Sequence, residues 1–235
     1  MSRRSEILAE MGLGPLWRAR RRQTREERIR SLDWKSLKAC VAACTDCKLR
    51  AGCTQTVLGV GDERAEWLLV GEAPGAEEDR LGEPFVGQAG KLLDNMLAAI
   101  GLKRGENVYI ANVLKCRPPA NRNPEPDEVA ACSPYLQRQI ELIRPKLIVA
   151  MGRFAAQTLL GTDATIASLR GAVHRYHGVP LIVTYHPAYL LRNLPDKAKA
   201  WADLRFAVRY FVSIVQTPSQ PSGSVSPASL AQRST

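Results

Sequence analysis

Short apolar runs punctuate the middle of the chain, and they alternate with segments in which apolar residues recur at helical spacing. The runs cover residues 67–70, 108–113, 147–151 and 181–184. Because these runs are apolar on successive residues, they are typical of strands buried on both faces of a parallel sheet. The helical patterns cover residues 92–100, 129–143, 154–160 and 197–215. This alternation predicts a three-layer α/β fold with helices on both faces of the sheet.

The two ends of the chain differ from this central part. Residues 1–33 are charged and weakly apolar, which predicts a basic N-terminal arm or a loosely docked helix. Residues 216–235 are rich in Ser and Pro and have almost no apolar content, so we expect a disordered tail. One globular domain is therefore predicted for residues 34–215.

The charge balance points to a polyanionic partner. Lys and Arg total 33 against 23 Asp and Glu, a net charge of +10, and bound cations release counterions from nucleic acid. Much of the excess lies in residues 18–30, where a solvated helix face is an equally good explanation. No apolar run approaches the roughly 20 residues that span a bilayer, and residues 1–12 lack the apolar core of a signal peptide. We therefore expect a cytoplasmic protein with no membrane partner.

Polar and glycine-rich motifs follow three of the predicted strands. GEAPG at residues 71–75 follows the first strand, Asn112 ends the second, and HPAYLL at residues 186–191 follows the fourth. Ligands of parallel α/β sheets bind at the carboxyl ends of the strands, so these motifs predict a single active site. Glu72 is the strongest carboxylate candidate because it comes directly after a buried strand.

His186 and Phe85 are the next candidates for that site. His186 precedes a proline, which favours an extended loop, and it is well suited to polarise or protonate a ligand oxygen. Phe85 lies in a glycine-flanked loop, Pro-Phe-Val-Gly, at residues 84–87. Its ring could stack on an extruded base or could simply plug the core.

Six cysteines in a reducing compartment are more plausible as metal ligands or small buried residues than as disulfides. Four of them are the candidate ligands of a metal centre: Cys44, Cys47, Cys116 and Cys132. The two-residue gap in Cys-Thr-Asp-Cys lets both thiolates face one metal ion or cluster. Zinc is the alternative to iron and sulfur, although two tight pairs would be commoner for zinc. Cys40 and Cys53 leave the ligand set open.

Taken together, these motifs resemble those of the family 4 uracil-DNA glycosylases, the iron–sulfur branch of the uracil-DNA glycosylase superfamily. The similarity covers about residues 35–212 and rests on CTDC, GEAPGAEEDRLGEPFVGQAG, ANVLKCRPPANRNP, the later cysteine and HPAYLL. The resemblance implies an α/β/α sandwich with a central four-stranded parallel sheet. It also implies a [4Fe–4S] cluster on Cys44, Cys47, Cys116 and Cys132.

The implied activity is hydrolysis of the bond between uracil and deoxyribose in single- or double-stranded DNA, by a monomer that flips the base and leaves an abasic site. By this resemblance Phe85 stacks on the uracil, Asn112 binds its Watson–Crick edge, and His186 hydrogen-bonds O2, where charge collects. Glu78 would crowd the position of the thymine methyl. The remaining implied positions are the substrate-binding Gly71, Ala73 and Gly75, and the DNA wedge formed by Leu190 and Leu191.

Two departures from other branches bear on mechanism. Some superfamily members carry a water-activating Asp at the third position of the first motif, where this chain has Ala73. We therefore expect Glu72 to hold the hydrolytic water. A branch that links covalently to DNA has a histidine-bearing insertion, whereas residues 120–126, ANRNPEP, contain no histidine. Hydrolytic turnover is therefore expected.

Two other functions compete with the enzyme. One is a catalytically inactive member that binds DNA or serves a polymerase, and the other is a zinc-stabilised α/β nucleotide-binding protein. The joint presence of Phe85, Asn112 and His186 favours the enzyme, because a binding module would not need that pocket.

Overall fold

The computed structural model describes residues 23–216, together with residues 3, 7 and 10–12. The predicted basic arm is therefore described only in part. The predicted Ser/Pro-rich tail lies outside the described residues, except for Gln216 at its start. None of the described helices is long and apolar enough to cross a membrane.

A single sheet forms the centre of the described part of the chain. Its strands are β1 (Val60–Gly61), β2 (Trp67–Gly71), β3 (Val108–Asn112), β4 (Leu147–Met151), β5 (Val173–Tyr176) and β6 (Val179–Thr184). The strand order is β1-β3-β2-β4-β6-β5. The pairs β3–β2, β2–β4 and β4–β6 are parallel, and the two edge pairs, β1–β3 and β5–β6, are antiparallel.

The predicted α/β class is confirmed, but the expected four-stranded sheet is in fact a mixed sheet of six strands. The two additional strands lie at the edges, where hydrophobic patterning is weak. β1 is only two residues long, and no residue of β5 is fully buried. In contrast, every residue of β2, β3 and β4 is buried, because helices cover both faces of these central strands.

Helices cover both faces of the sheet. They are α1 (Arg25–Arg30), α2 (Trp34–Ala42), α3 (Ala76–Leu81), α4 (Gln88–Ala99), α5 (Pro126–Ile143), α6 (Arg153–Leu160), α7 (Ile166–Leu169), α8 (Pro187–Arg192) and α9 (Lys197–Gln216). One core packs alternate residues of β2 against α5 and α6, and a second packs the other β2 residues against α4 and α9. The sheet therefore has two buried faces, as the continuous apolar strands require.

Helix α1 belongs to the sequence that was predicted as a basic arm. Thr24 and Glu27 form a capping box that starts the helix by satisfying its first backbone N–H groups. Ile29 is fully buried in a small core with Leu37 and Tyr135, the latter on α5. This part of the arm is thus a helix docked on the domain, and the boundary at residue 34 stays a prediction.

Candidate active site and cysteine site

A cavity of about 700 Å³ lies at the carboxyl ends of the parallel strands. The loops after β2, β3, β4 and β6 all contribute to its wall, as the topology of the sheet predicts. The predicted site residues in its lining are Glu72, Ala73, Gly75, Glu78, Phe85, Asn112 and His186. Its size suits a small organic ligand such as a nucleoside.

Asn112 is the last residue of β3, and its side chain is 2 % exposed. Among the described residues, its Oδ1 is the one buried side-chain nitrogen or oxygen without a hydrogen-bond partner. Leaving a buried acceptor unpaired is costly, and native proteins rarely do so without a reason. An acceptor in this state at the wall of a cavity is prepared to receive an N–H group from a ligand.

Gly71 ends β2 beside Asn112, with which it is paired in the sheet. A Cβ atom on Gly71 would lie 2.4 Å from Asn112 Oδ1 and 2.6 Å from Phe85 Cζ. No side chain therefore fits at this position. The glycine allows the amide and the aromatic ring to approach each other across the strand end.

Phe85 forms another wall of the cavity, and its ring stacks on that of His186 with centroids 5.4 Å apart and planes inclined by 30°. The residue is 5 % exposed and also packs in the core that includes Leu93 of α4. Its two proposed roles, core residue and stacking surface, are thus compatible. Its backbone φ of 55° is an uncommon, strained value for a bulky residue.

The carboxylate of Glu78 is fully engaged by backbone groups. Its Oε2 accepts from Gly75 N at 3.1 Å, and its Oε1 accepts from Val86 N at 2.9 Å and from Gly87 N at 3.0 Å. The side chain therefore fixes both the turn after β2 and the loop that carries Phe85, besides lining the cavity.

His186 caps the N-terminus of α8 in an extended conformation, with φ −69° and ψ 135°. Its Nδ1 accepts a hydrogen bond from Ala188 N at 3.1 Å, so in the neutral ring the proton resides on Nε2. Burial lowers the pKa of His186 to about 4, and Arg192 lowers it further while Glu78 opposes the shift. The ring is therefore a neutral donor at physiological pH.

Glu72 is a second titratable group of the cavity wall whose pKa is strongly shifted. Burial raises the pKa of its carboxyl to about 7, and the nearby Arg153 partly opposes that effect. Ala73 follows it in the cavity wall and offers no polar atom in its side chain. Of Glu72 and Ala73, only Glu72 has a side chain that can accept a hydrogen bond from water.

The two residues predicted as a DNA wedge have different environments on α8. Leu190 is 1 % exposed and packs in a small core with Tyr185 and Ala200. Leu191 is 42 % exposed. Leu190 would have to leave that core to insert into DNA. Leu191 is already at the protein surface, so it is the better candidate for the wedge.

Several residues in the cavity wall were missed from the sequence. They are Arg153, Phe154, Tyr185, Tyr189 and Arg192. Arg153 and Phe154 directly follow β4, so the strand-end rule that singled out the other motifs could have found them. Gly152 before them has a φ of 94°, and a Cβ there would lie 2.9 Å from His186 Cβ. The two strand ends thus approach each other closely.

The cysteine side chains converge on a second site, on the side of the sheet covered by α5. Cys116 and Cys132 are buried in the core that also contains Cys53, and Cys47 packs against that core. Burial raises the pKa of the Cys132 thiol to about 11, and Cys47 and Cys44 are close enough to add to the shift. Burial also raises the pKa of Cys116, with further contributions from Cys53, Cys132 and Cys47.

This donor set fits a thiolate-bound metal cluster. Cys132 of α5 interacts with Cys44 and Cys47 of the CxxC loop and with Cys116 of the loop after β3, and soft sulfur ligands are those that iron–sulfur clusters use. Within the described residues, no group of three or more His, Cys, Asp or Glu side chains is arranged to hold a single metal ion. The identity of the cofactor accordingly belongs to the proposal below.

Fold and cavity together define an α/β protein with a nucleoside-sized pocket at the carboxyl edge of its sheet. The family described as the Uracil DNA glycosylase superfamily matches residues 58–205. Type-4 uracil-DNA glycosylases of Archaeoglobus fulgidus and Sulfurisphaera tokodaii are 52 % and 48 % identical, over 64 % and 68 % of this chain and 79 % and 76 % of their own lengths. A type-5 uracil-DNA glycosylase of Pyrobaculum aerophilum is 34 % identical, over 57 % of this chain and 66 % of its own. The chain belongs to the uracil-DNA glycosylase superfamily, and its similarity is greater to the type-4 members than to this type-5 member.

Proposed function

We propose that this protein is a DNA repair hydrolase that excises uracil from DNA and leaves an abasic site. The type-4 relatives are named uracil-DNA glycosylases, and the pocket of this chain contains the groups that the reaction needs. The observation that carries the proposal furthest is the unpaired Oδ1 of Asn112 at the wall of the cavity. Uracil presents an N3–H donor that this acceptor can bind.

Base flipping is the first step. The glycosidic bond is inaccessible in stacked DNA, so the nucleotide rotates out and its base enters the cavity, at a cost of a few kcal/mol. Phe85 supplies the stacking surface, and Leu191 fills the gap in the stack. Arg153 and Arg192 at the cavity wall provide positive charge for the backbone phosphates.

Base selection and bond cleavage follow inside the pocket. Asn112 binds the Watson–Crick edge of uracil, and Glu78 crowds the position that a thymine methyl would occupy. As the glycosidic bond breaks, negative charge collects on O2, and the Nε2–H of His186 donates to that oxygen. One such donor in a dry site contributes roughly 3–4 kcal/mol to transition-state stabilisation.

Hydrolysis requires a water molecule at the sugar carbon. In the absence of a polar side chain at Ala73, Glu72 holds this water as a carboxylate. Its pKa of about 7 means that a substantial ionised fraction is available at neutral pH. Because water is the nucleophile, the enzyme turns over without a covalent link to DNA.

A [4Fe–4S] cluster on Cys44, Cys47, Cys116 and Cys132 completes the proposal. Support comes from the interaction of Cys132 with each of the other three thiols and from the similarity to type-4 enzymes. When bound, the cluster supplies a structural cross-link. Cys116 lies four residues after Asn112 in the sequence, so the link helps to fix the loop after β3 near the pocket.

The remaining parts of the proposal concern partners and location. The substrate is single- or double-stranded DNA containing uracil, the active form is a monomer, and the catalytic domain spans residues 34–215 with α1 docked on it. We place the protein in the cytoplasm, whose reducing conditions suit a chain whose six cysteines, all in the described part, form no disulfide.

The test is incubation of iron-replete protein with an oligonucleotide containing one uracil, followed by alkali. Strand scission at the uracil, absent from a matched oligonucleotide with thymine, is the expected result. Binding without scission would replace the enzyme by an inactive DNA-binding or polymerase-associated member. A brown preparation with stoichiometric iron is expected, and a colourless one with stoichiometric zinc would exclude the cluster.

A further inference from the structure

The loop that carries Phe85 is held by a residue outside all of the motifs described above. Arg104 lies between α4 and β3, and its guanidinium donates to Pro84 O at 2.9 Å through Nη1 and to Phe85 O at 2.8 Å through Nη2. Its Nε donates to Asp94 Oδ1 on α4 at 2.9 Å. Three donors of one planar group are thus used, and the arginine side chain is 22 % exposed.

Opposite charges secure the two halves of this loop. Arg104 takes the carbonyls of Pro84 and Phe85, whereas the Glu78 carboxylate takes the amides of Val86 and Gly87. The cationic side chain donates to carbonyl oxygens, and the anionic side chain accepts from backbone N–H groups. Hydrogen bonds to charged groups are stronger than those between neutral groups. The backbone of the loop is therefore fixed from both ends.

Phe85 needs this support because its backbone is strained. A left-handed φ of 55° is disfavoured for a residue with a bulky side chain. Helix α4 also passes very close to it, since a Cβ on Gly90 would lie 1.8 Å from Phe85 O. A strained conformation of this kind persists only where its surroundings hold it. In this position the ring reaches both His186 and the end of β2.

We propose that Arg104 is a positioning residue for uracil excision, which acts by holding Phe85 in the strained conformation that presents its ring to the flipped base. Arg104 is absent from the cavity wall, so it acts on the substrate only through Phe85. The proposal rests on the uracil-excision function, in which Phe85 stacks on the base. Lysine would not replace the arginine, because a single ammonium group lacks the planar fork that spans two carbonyls and a carboxylate.

The experiment is a double-mutant cycle on the full-length protein with Arg104→Ala and Phe85→Ala. Single-turnover cleavage of a uracil oligonucleotide and inhibition by free uracil are measured for each variant. We expect Arg104→Ala to slow cleavage by about 10- to 100-fold and to weaken inhibition by uracil, since a small displacement of a positioned group has effects of that size. Affinity for DNA with an abasic analogue should remain unchanged.

The cycle distinguishes an effect through Phe85 from a general loss of structure. If Arg104 acts through Phe85, the double variant is no slower than Phe85→Ala alone, because coupled residues are not additive. Lys103→Ala, which removes the neighbouring exposed ion pair with Glu106, serves as the matched control and should cleave normally. Should Arg104→Ala fail to fold, Asp94→Asn removes one partner of the guanidinium and should give a smaller loss of the same kind.

Two results of the double-mutant cycle would overturn the inference: normal cleavage and uracil inhibition in the Arg104→Ala variant, or single-variant losses that multiply in the double variant. Either result would leave the proposed function standing, because the wild-type protein would still cleave. Absence of cleavage by the wild-type protein would instead reject the proposed function. Rescue of the cleavage rate by Arg104→Lys would also count against the geometric role of the guanidinium.

Discussion

The pocket at the strand ends and the cysteine site beside it hold their side chains by different kinds of contact. In the pocket, the hydrogen bonds of the polar side chains Glu78 and His186 are local: Glu78 binds amides three, eight and nine residues away, and His186 binds one two residues away. At the cysteine site they join distant segments. Arg25 donates to Asp46, 21 residues away, and to Ala131 O, 106 residues away, and the Tyr135 hydroxyl donates to Asp46 across 89 residues.

This difference suggests that the pocket performs the chemistry, whereas the cysteine site stabilises the fold. Locally braced loops leave a few atoms free for a ligand, such as Oδ1 of Asn112 and Nε2 of His186. Long-range links instead tie α1, the CxxC loop and α5 into one unit around the thiols. Changes in the pocket should therefore alter rate more than stability, and changes at the cysteine site should alter stability first.

The largest expected effect tests the pocket. Asn112→Ala should slow single-turnover uracil cleavage by about 10²–10³-fold, the scale seen when one transition-state hydrogen bond is lost. The melting temperature should stay the same or rise, because the buried acceptor that is removed has no partner. Asn95→Ala, an exposed position on α4, is the control. A normal rate, or a large loss of stability, would contradict this view of the pocket.

The corresponding test of the cysteine site is Cys132→Ser. We expect loss of bound iron and a fall of about 2–4 kcal/mol in the free energy of unfolding, since losing a metal link is among the most destabilising changes. Iron content and denaturant unfolding provide the measurement. Cys40→Ser is the control, because Cys40 contacts the Tyr135 hydroxyl at 3.8 Å but is outside the proposed ligand set. Loss of iron from that variant alone would reverse the assignment.

A pH profile sharpens the role of Glu72. If its carboxylate holds the water, the cleavage rate should rise as pH increases through about 7, where Glu72 ionises. His186, with a pKa of about 4, stays neutral over this range and adds no slope. Glu72→Gln should be about 100-fold slower at about pH 8 and should lose the slope, as expected for a lost general base. A retained slope would assign the titration to another group, and Glu77→Gln serves as the exposed control.

The smallest expected effect concerns Arg25. Replacing it by Ala removes the link between Asp46 in the CxxC loop and Ala131 of α5. Since the ion pair is partly exposed, the stability loss should be about 1 kcal/mol or less. Cleavage per folded molecule should not change, and Arg30→Ala, an exposed arginine of the same helix, should have no effect. If Arg25→Ala instead slowed cleavage without lowering the free energy of unfolding, the cysteine site would influence the pocket directly, contrary to the division of roles described above.

Much of the fold was predictable because the central strands carry continuous apolar runs. The four predicted strands are confirmed as β2, β3, β4 and β6, with ends shifted by at most two residues. The edge strands were missed because their pairing is decided by a neighbouring strand and their own pattern is short or half exposed. Helix α8 was missed because its length and burial depend on contacts with Tyr185 and Ala200.

The sequence by itself determined the α/β class, the strand ends at which the motifs meet, and the spacing of the cysteines, since hydrophobic period and short motifs are local properties. Only the tertiary structure decided which atoms are free to act. It buried Leu190 and exposed Leu191, left Asn112 Oδ1 unpaired, and placed Arg104 on the carbonyls of Pro84 and Phe85. Burial and hydrogen-bond partners depend on segments that are far apart in the chain, and no local pattern encodes them.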